Sequence, residues 1–170
     1  MTLKSKDMIQ NKPTMNIEIA GFRQESTSDG PGVRGVLFLQ GCSRRCAGCH
    51  NTSTHKKGLG KNMTIDNLIK LLEERFMYRR KKITISGGEP LDQPEALEEL
   101  VNRLYALDYD ICLYTSYQLE DVSLTIREKL SSIKTGPFIL SKKSPEATYY
   151  GSSNQQFFRN TNLGYFEKVA

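Results

Sequence analysis

No stretch of this 170-residue sequence approaches the ~20 consecutive apolar residues that a membrane-spanning helix needs, so no membrane association is expected. The N-terminal run MTLKSKDMIQNKPT carries basic residues but no apolar h-region, so it does not read as a secretory signal, and the expected location is the cytoplasm. An excess of charge is also lacking. Lys plus Arg number 24 against 19 Asp plus Glu, and the resulting +5 is too weak and too scattered to imply nucleic acid. Glycine and proline are ordinary, at 13 and 6, and there is no internal repeat or low-complexity tract. Collagen-like, mucin-like and wholly disordered readings are therefore excluded. A chain that is 38% hydrophobic at this length builds one core, burying roughly two-thirds of its unfolded surface. Cysteine is scarce as well, and its placement is what informs. Of four cysteines, three fall within eight residues.

Residues 1–15 are polar and read as a loose N-terminal tail, with the domain proper over 16–170. NIEIAGFR (16–23) and RGVLFLQ (34–40) read as strands, the second almost continuously apolar, which predicts burial on both faces as in a parallel sheet. A helix is expected over 64–80, with Thr64 as N-cap, Asp66 in the first turn, and Ile65, Leu68, Ile69, Leu72 and Phe76 at helical spacing. The basic run Arg79–Lys82 complements the negative end of its dipole. KITIS (82–86) reads as a strand, followed by the turn Gly87-Gly88-Glu89-Pro90. A second helix is expected over 94–107, with Leu97, Leu100, Val101, Leu104 and Leu107 on one face. DICLYTS (110–116) is another strand; Leu119, Val122, Ile126, Leu130 and Ile133 mark a third helix; IKTGPFIL (133–140) is a last strand; and the remainder reads as irregular. The alternation predicts an α/β domain with a mostly parallel sheet. Ligands of such folds bind outside the carboxyl ends of the strands, where the polar clusters of this sequence fall.

The segment Gly41-Cys42-Ser43-Arg44-Arg45-Cys46-Ala47-Gly48-Cys49-His50-Asn51 is a C-x3-C-x2-C. A disulfide framework does not suit an odd group of three in a cytosolic chain, which leaves metals. Zinc would take Cys42, Cys46, Cys49 and either His50 or His55, but the adjacent Cys49-His50 pair is awkward for chelating one ion. An iron–sulfur cluster fits better, because thiolates from a short loop can each take a separate iron. Three thiolates leave a fourth iron of a 4Fe–4S cube open to a small molecule. Cys112 reads as a small buried hydrophobe, and His55, among Thr54, Lys56 and Lys57, as a solvated loop residue.

C-x3-C-x2-C after an apolar strand and a Gln-Gly step, with SGGEP downstream, resembles the radical S-adenosylmethionine (radical SAM) enzymes. Asp29-Gly30-Pro31-Gly32-Val33-Arg34, then GVLFLQGC and CHN, is similar to the glycyl-radical-enzyme activases of that superfamily. CAGCHN, Tyr114-Thr115-Ser116-Tyr117 and Tyr150-Gly151-Ser152-Ser153-Asn154-Gln155 lean toward the branch that serves anaerobic ribonucleoside-triphosphate reductase. One departure is Gly48, where the superfamily often carries an aromatic residue just before the third cysteine, so an adenine contact would come from elsewhere.

The resemblance implies a single-domain, partial parallel β/α barrel of the radical SAM type. It implies that Cys42, Cys46 and Cys49 hold a 4Fe–4S cluster whose open iron binds S-adenosyl-L-methionine, and that reductive cleavage yields a 5′-deoxyadenosyl radical which takes a hydrogen from a glycine of the reductase. Gly87, Gly88 and Glu89 would meet the methionyl ammonium, although a tight turn explains them equally well taken alone. Thr115 and Ser116 would bond the ligand's carboxylate or ribose, or else cap their strand. His50 and Asn51 would bond cluster sulfurs or ligand, or pack the loop. The turn at Asp29 would dock the partner. Gly151–Gln155 would close the site, or be an ordinary polar loop. A flavodoxin or ferredoxin-type protein would donate the electron. The alternatives are an activase of another glycyl radical enzyme, such as the pyruvate formate-lyase type, a radical enzyme acting on a small molecule, or a zinc-binding interaction module.

Overall fold

Strands β1 (Asn16–Ser26) and β2 (Arg34–Leu39) are joined by residues 27–33 alone. That link is too short for the crossover that parallel pairing requires, and the two strands pair antiparallel. The computed structural model describes residues 15–75, 81–144, 148–162 and 164–169. The expected tail lies outside these residues except for Met15, whose carbonyl accepts from Ile65 N at 2.9 Å.

After β2 the chain forms β3 (Lys61–Thr64), α1 (Ile65–Arg75), β4 (Lys82–Gly87), α2 (Pro94–Ala106), β5 (Asp110–Tyr114), the short α3 (Leu124–Arg127), β6 (Ser132–Thr135), β7 (Gln156–Asn162) and β8 (Tyr165–Lys168). The sheet order is β3-β1-β2-β4-β5-β6-β7-β8. Its centre, β2-β4-β5-β6, is parallel, with each step crossed by one helix. The flanking pairs are antiparallel, so the sheet is mixed rather than mostly parallel, and it has eight strands in one α/β domain.

α1 starts where expected. Thr64 Oγ1 accepts from Asn67 N at 3.2 Å, satisfying a first-turn donor. Residues 76–80, including Phe76 and the Arg79-Arg80 half of the basic run, lie outside the described residues. α2 has Pro94 in its first turn and buries Ala96, Leu97, Leu100, Val101 and Leu104. The long third helix does not form. Leu119–Asp121 is a 3-10 turn in which Asp121 Oδ2 accepts from Gln118 N at 2.9 Å, and Val122 is extended. Polar side chains that bond the local backbone compete with helix here. Ile133 belongs instead to β6, and that strand ends at Thr135, before Gly136 and Pro137. The stretch read as irregular contains the β7–β8 hairpin. Phe157 of β7, 1% exposed, packs on Cys112 and Tyr114.

Period-two alternation divides the parallel strands between two environments. Leu37, Leu39, Ile83, Ile85, Ile111, Leu113 and Ile133 join α1 and α2 in one apolar core. Phe38, Ser86, Tyr114 and Lys134 alternate with them and line a cavity on the other face. Among the described residues no helix is long and apolar enough to cross a membrane.

Candidate functional site

The cavity, about 760 Å³, lies over the carboxyl ends of β2, β4, β5 and β6, where ligands of α/β sheets bind. All ten residues singled out from the sequence line it. Cys42, Cys46, Cys49, His50 and Asn51 come from the loop after β2; Gly87, Gly88 and Glu89 end β4; Thr115 and Ser116 end β5.

The cysteine loop is held by backbone and by short polar side chains. Gly41 N donates to Thr54 O at 2.7 Å and Cys42 N to His55 O at 3.0 Å. Ser43 N and Oγ donate to the Asp92 carboxylate at 2.6 and 2.9 Å. Cys49 N donates to Cys46 O at 3.1 Å, and Asn51 N donates to Cys49 Sγ at 3.3 Å. An N–H aimed at a cysteine sulfur is an arrangement that orients and tunes a cluster ligand. The Asn51 contribution is thus its main-chain N–H. Gly48 has φ +74°, and a Cβ there would lie 2.7 Å from Leu140 Cδ1. Leu140 fills the space that a side chain before the third cysteine would take.

The three thiols are free and half-buried. Among the described residues no three His, Cys, Asp or Glu side chains come together as a site for one metal ion. The chemistry of the donor set fits a multinuclear cluster, in which each thiolate takes a different iron, better than one tetrahedral zinc. Burial pushes the Cys42 thiol up, against hydrogen bonds from the Arg45 and Arg44 backbone that lower it, while Glu89 and Asp92 add to the rise. Metal binding there would release a proton.

The Gly-Gly-Glu turn is stitched to the end of β2. Gly88 N donates to Leu39 O and Glu89 N to Gly41 O, both at 2.8 Å. A Cβ on Gly88 would lie 2.0 Å from Gly41 O, and one on Gly87 would lie 2.4 Å from Leu39 N. Both glycines thus answer to backbone passing backbone beneath the cysteine loop, a demand the sequence attributes equally to a ligand.

Glu89 is 1% exposed and accepts four hydrogen bonds. Oε1 takes Leu91 N at 3.1 Å and Thr115 Oγ1 at 2.6 Å; Oε2 takes Ser116 N at 2.8 Å and Ser116 Oγ at 2.5 Å. A buried carboxylate is tolerable when so satisfied. Thr115 and Ser116 therefore donate hydrogen bonds from their hydroxyls to Glu89, contacts within the protein that the sequence did not point to. They lock β5 to β4 and fix the direction of the carboxylate.

Asp29 pairs with Arg23 at 3.5 Å and accepts from Ser26 Oγ at 2.5 Å. Its turn is held from below by Arg34, 1% exposed. The guanidinium donates to Pro31 O from Nε and Nη2 at 3.1 and 2.8 Å, and to Asp110 Oδ1 at 3.2 Å. The Gly151–Gln155 segment is a wall of the cavity. Gln155 Oε1 accepts from Gly151 N and Ser152 N at 2.8 and 3.2 Å, and Nε2 donates to Gly136 O at 2.9 Å.

Two further groups line the cavity. His55, weighed as a zinc ligand but expected in solvent, is one, and its Nε2 is buried without a partner among the described residues. Lys134 places Nζ 4.0 Å from the centre of the Tyr114 ring, whose buried hydroxyl is also unpartnered. Only the alternation of β6 could have pointed Lys134 inward. Burial holds its amine down to about 8, opposed by the nearby Cys112, Asp29, Glu89 and Cys49. An unfolded lysine titrates near ~10.4, so between about 8 and that value the unfolded chain binds the extra proton and stability rises with pH. Urea denaturation should show wild type gaining on Lys134→Met as pH climbs from ~8 to ~10. A stability difference that does not change with pH would contradict the assignment. Cys112, pushed up to about 11 by burial, acts in the opposite sense in both proteins.

Residues 28–158 match the family described as 4Fe-4S single cluster domain. The chain is 33% identical over 138 residues to the anaerobic ribonucleoside-triphosphate reductase-activating protein of Salmonella typhimurium, covering 75% of this chain and 88% of that protein. The protein of the same name from Enterobacteria phage T4 is 32% identical over 141 residues, at 79% and 88% coverage. The pyruvate formate-lyase-activating enzyme of Clostridium pasteurianum is 45% identical over 76 residues, but these span 43% of this chain and 32% of that enzyme. Among solved structures, that of QueE from Escherichia coli aligns with a TM-score of 0.47 and 20% identity over 59% of this chain and 52% of that one.

Proposed function

The chain belongs to the 4Fe-4S single cluster domain family, with the anaerobic ribonucleoside-triphosphate reductase-activating proteins, and from that premise we propose that it is a radical SAM activase of that reductase. The observation that carries this reading is the convergence on one cavity of three cysteines from one loop with the Gly-Gly-Glu turn of the neighbouring parallel strand. Cys42, Cys46 and Cys49 would hold a 4Fe–4S cluster, leaving one iron for S-adenosyl-L-methionine. With that molecule bound, the cluster supplies one-electron cleavage to methionine and a 5′-deoxyadenosyl radical.

The residues of this chain bind and orient. Glu89, its carboxylate fixed by Thr115 and Ser116, presents a buried negative pole to the cofactor's ammonium. Lys134 provides a cation on the cavity floor. The wall from Gly151 to Gln155 limits water on one side. The parallel centre β2-β4-β5-β6 would form the partial barrel of the superfamily, with its cavity open to a glycine-bearing segment of the partner. Exposed Arg44 and Arg45 on the cysteine loop suit an acidic flavodoxin or ferredoxin-type donor in the cytoplasm.

The reductase is favoured over pyruvate formate-lyase as target because similarity to the reductase-activating protein covers 88% of its length, against 32% for the pyruvate formate-lyase-activating enzyme. The test mixes the anaerobically reconstituted protein with reductant, S-adenosyl-L-methionine and the candidate reductase, and records the electron paramagnetic resonance spectrum. A glycyl doublet on the reductase is expected. No doublet, with cofactor cleavage intact, would sink the choice of partner.

A further inference from the structure

A buried imidazole nitrogen, without a partner among the described residues, belongs to a residue whose backbone bonds the first cysteine of the candidate cluster loop. His55 follows the 3-10 turn Thr52–Thr54, and three backbone bonds fix its place: His55 N donates to Thr52 O at 3.1 Å, Cys42 N donates to His55 O at 3.0 Å, and Gly41 N donates to Thr54 O at 2.7 Å. The residue runs directly alongside Cys42. Gln40 Nε2 holds the same loop from within, donating to Ser53 O at 3.1 Å and Lys56 O at 2.8 Å. On the far side, Glu18 accepts from Gly58 N and Gly60 N at 3.1 and 2.7 Å. A loop tied at so many points sets the imidazole in one place.

The residue lines the cavity that the three thiols share, and its Nε2 has no hydrogen-bond partner among the described residues. Buried polar atoms are almost always paired, and each exception calls for a partner brought by something else. Here the cavity is where that partner would arrive. His50, the histidine adjacent to Cys49, is exposed, so water competes for its nitrogens. The buried imidazole nitrogen is that of His55.

Resting on the reading of a cluster on Cys42, Cys46 and Cys49, we propose that His55 is a positioning residue whose Nε2–H donates a hydrogen bond to a sulfur of that cluster and so raises its reduction potential. Reduction adds negative charge that is shared by the sulfurs. A hydrogen bond to sulfur therefore strengthens on reduction and favours the reduced state. The His55 Nε2 atom is itself buried, so that preference is screened less by water than at an exposed donor. Asn51 N, at 3.3 Å from Cys49 Sγ, supplies the same kind of contact from the backbone at the other end of the cysteine motif, so the two donors would bracket the cluster.

The test compares reconstituted wild type, His55→Phe and His55→Gln, without reductase. Iron and sulfide content comes first: absence of a cluster in wild type overturns the cluster reading and this proposal with it, whereas a loaded cluster whose potential ignores His55 overturns this proposal alone. With clusters loaded, a redox titration followed by electron paramagnetic resonance gives the midpoint potentials. His55→Phe is expected to lower the reduced-to-oxidised ratio at a fixed potential about tenfold, equivalent to ~59 mV for one electron. His55→Gln keeps an N–H donor and should recover most of the loss. Both variants titrating with wild type would overturn the proposal. Should His55→Phe fail to load, hyperfine coupling from nitrogen-15-labelled histidine to the reduced cluster, recorded in a His50→Gln background, decides the matter. Detectable coupling supports the hydrogen bond and its absence overturns it.

Discussion

Replacing Cys46 with alanine will leave the protein folded and abolish its production of 5′-deoxyadenosine. Cys46 lies half-exposed on a loop, outside both apolar clusters. Its structural bond is made by its carbonyl, which accepts from Cys49 N at 3.1 Å and survives the substitution. The thermal transition should therefore move little, as for surface changes worth about 0.5 kcal/mol or less. The chemical loss is of another order. Removing an outer-shell partner of a metal ligand already costs roughly 10–100-fold. Removing one of three ligands leaves the cluster without an anchor, and cleavage of S-adenosyl-L-methionine by the reduced protein should fall below detection. Chromatography of the nucleoside product, beside a circular dichroism melt, checks both halves. Retained cleavage would place the cluster on other ligands.

The second large effect is structural. In Gly88→Ala the new methyl would lie 2.0 Å from Gly41 O and 2.7 Å from Gly41 C. No rotamer relieves the clash, because the methyl is fixed by the main chain and its neighbour is main chain too. The two segments are also clamped together by Gly88 N to Leu39 O and Glu89 N to Gly41 O, each 2.8 Å. The strand end and the cysteine loop must part, and parting them breaks those bonds and swings Glu89 away from Thr115 and Ser116. A cost beyond about 4 kcal/mol is expected, in the range reserved for overpacking and broken buried networks. Against a typical total of about 5–15 kcal/mol, that lowers the melting temperature steeply and reduces iron uptake. Gly21→Ala is the control, since nothing lies within 4 Å of its added methyl. A Gly88→Ala protein that melts with wild type would mean this close approach is not obligatory.

Where side-chain identity itself is the signal, the site could be read directly. Cysteines at C-x3-C-x2-C spacing suit the proposed ligation, and Gly-Gly after an apolar strand answers to close backbone packing, and few other residues would meet either demand. The helices at Ile65 and Pro94 were legible because their apolar faces follow helical spacing and Thr64 caps the first. The third helix failed because helical spacing from Leu119 to Ile133 arose from a 3-10 turn, a four-residue helix and a strand placed in succession. The sequence placed Thr115 and Ser116 at the end of their strand, but their bonds to Glu89 were not legible in it. Glu89 lies more than twenty positions upstream, and only the pairing of β4 with β5 brings them together.

Chain order alone therefore settled the α/β class and the family, and it supplied the cysteines proposed as cluster ligands, because those depend on local periodicity and on which atoms are present. The antiparallel flanks, the clamp on Glu89, the inward turn of His55 and the depressed amine of Lys134 were settled only by folding. Each depends on strand order, on which face of a strand meets the cavity, and on removal from water, and these are relations between residues far apart in the chain.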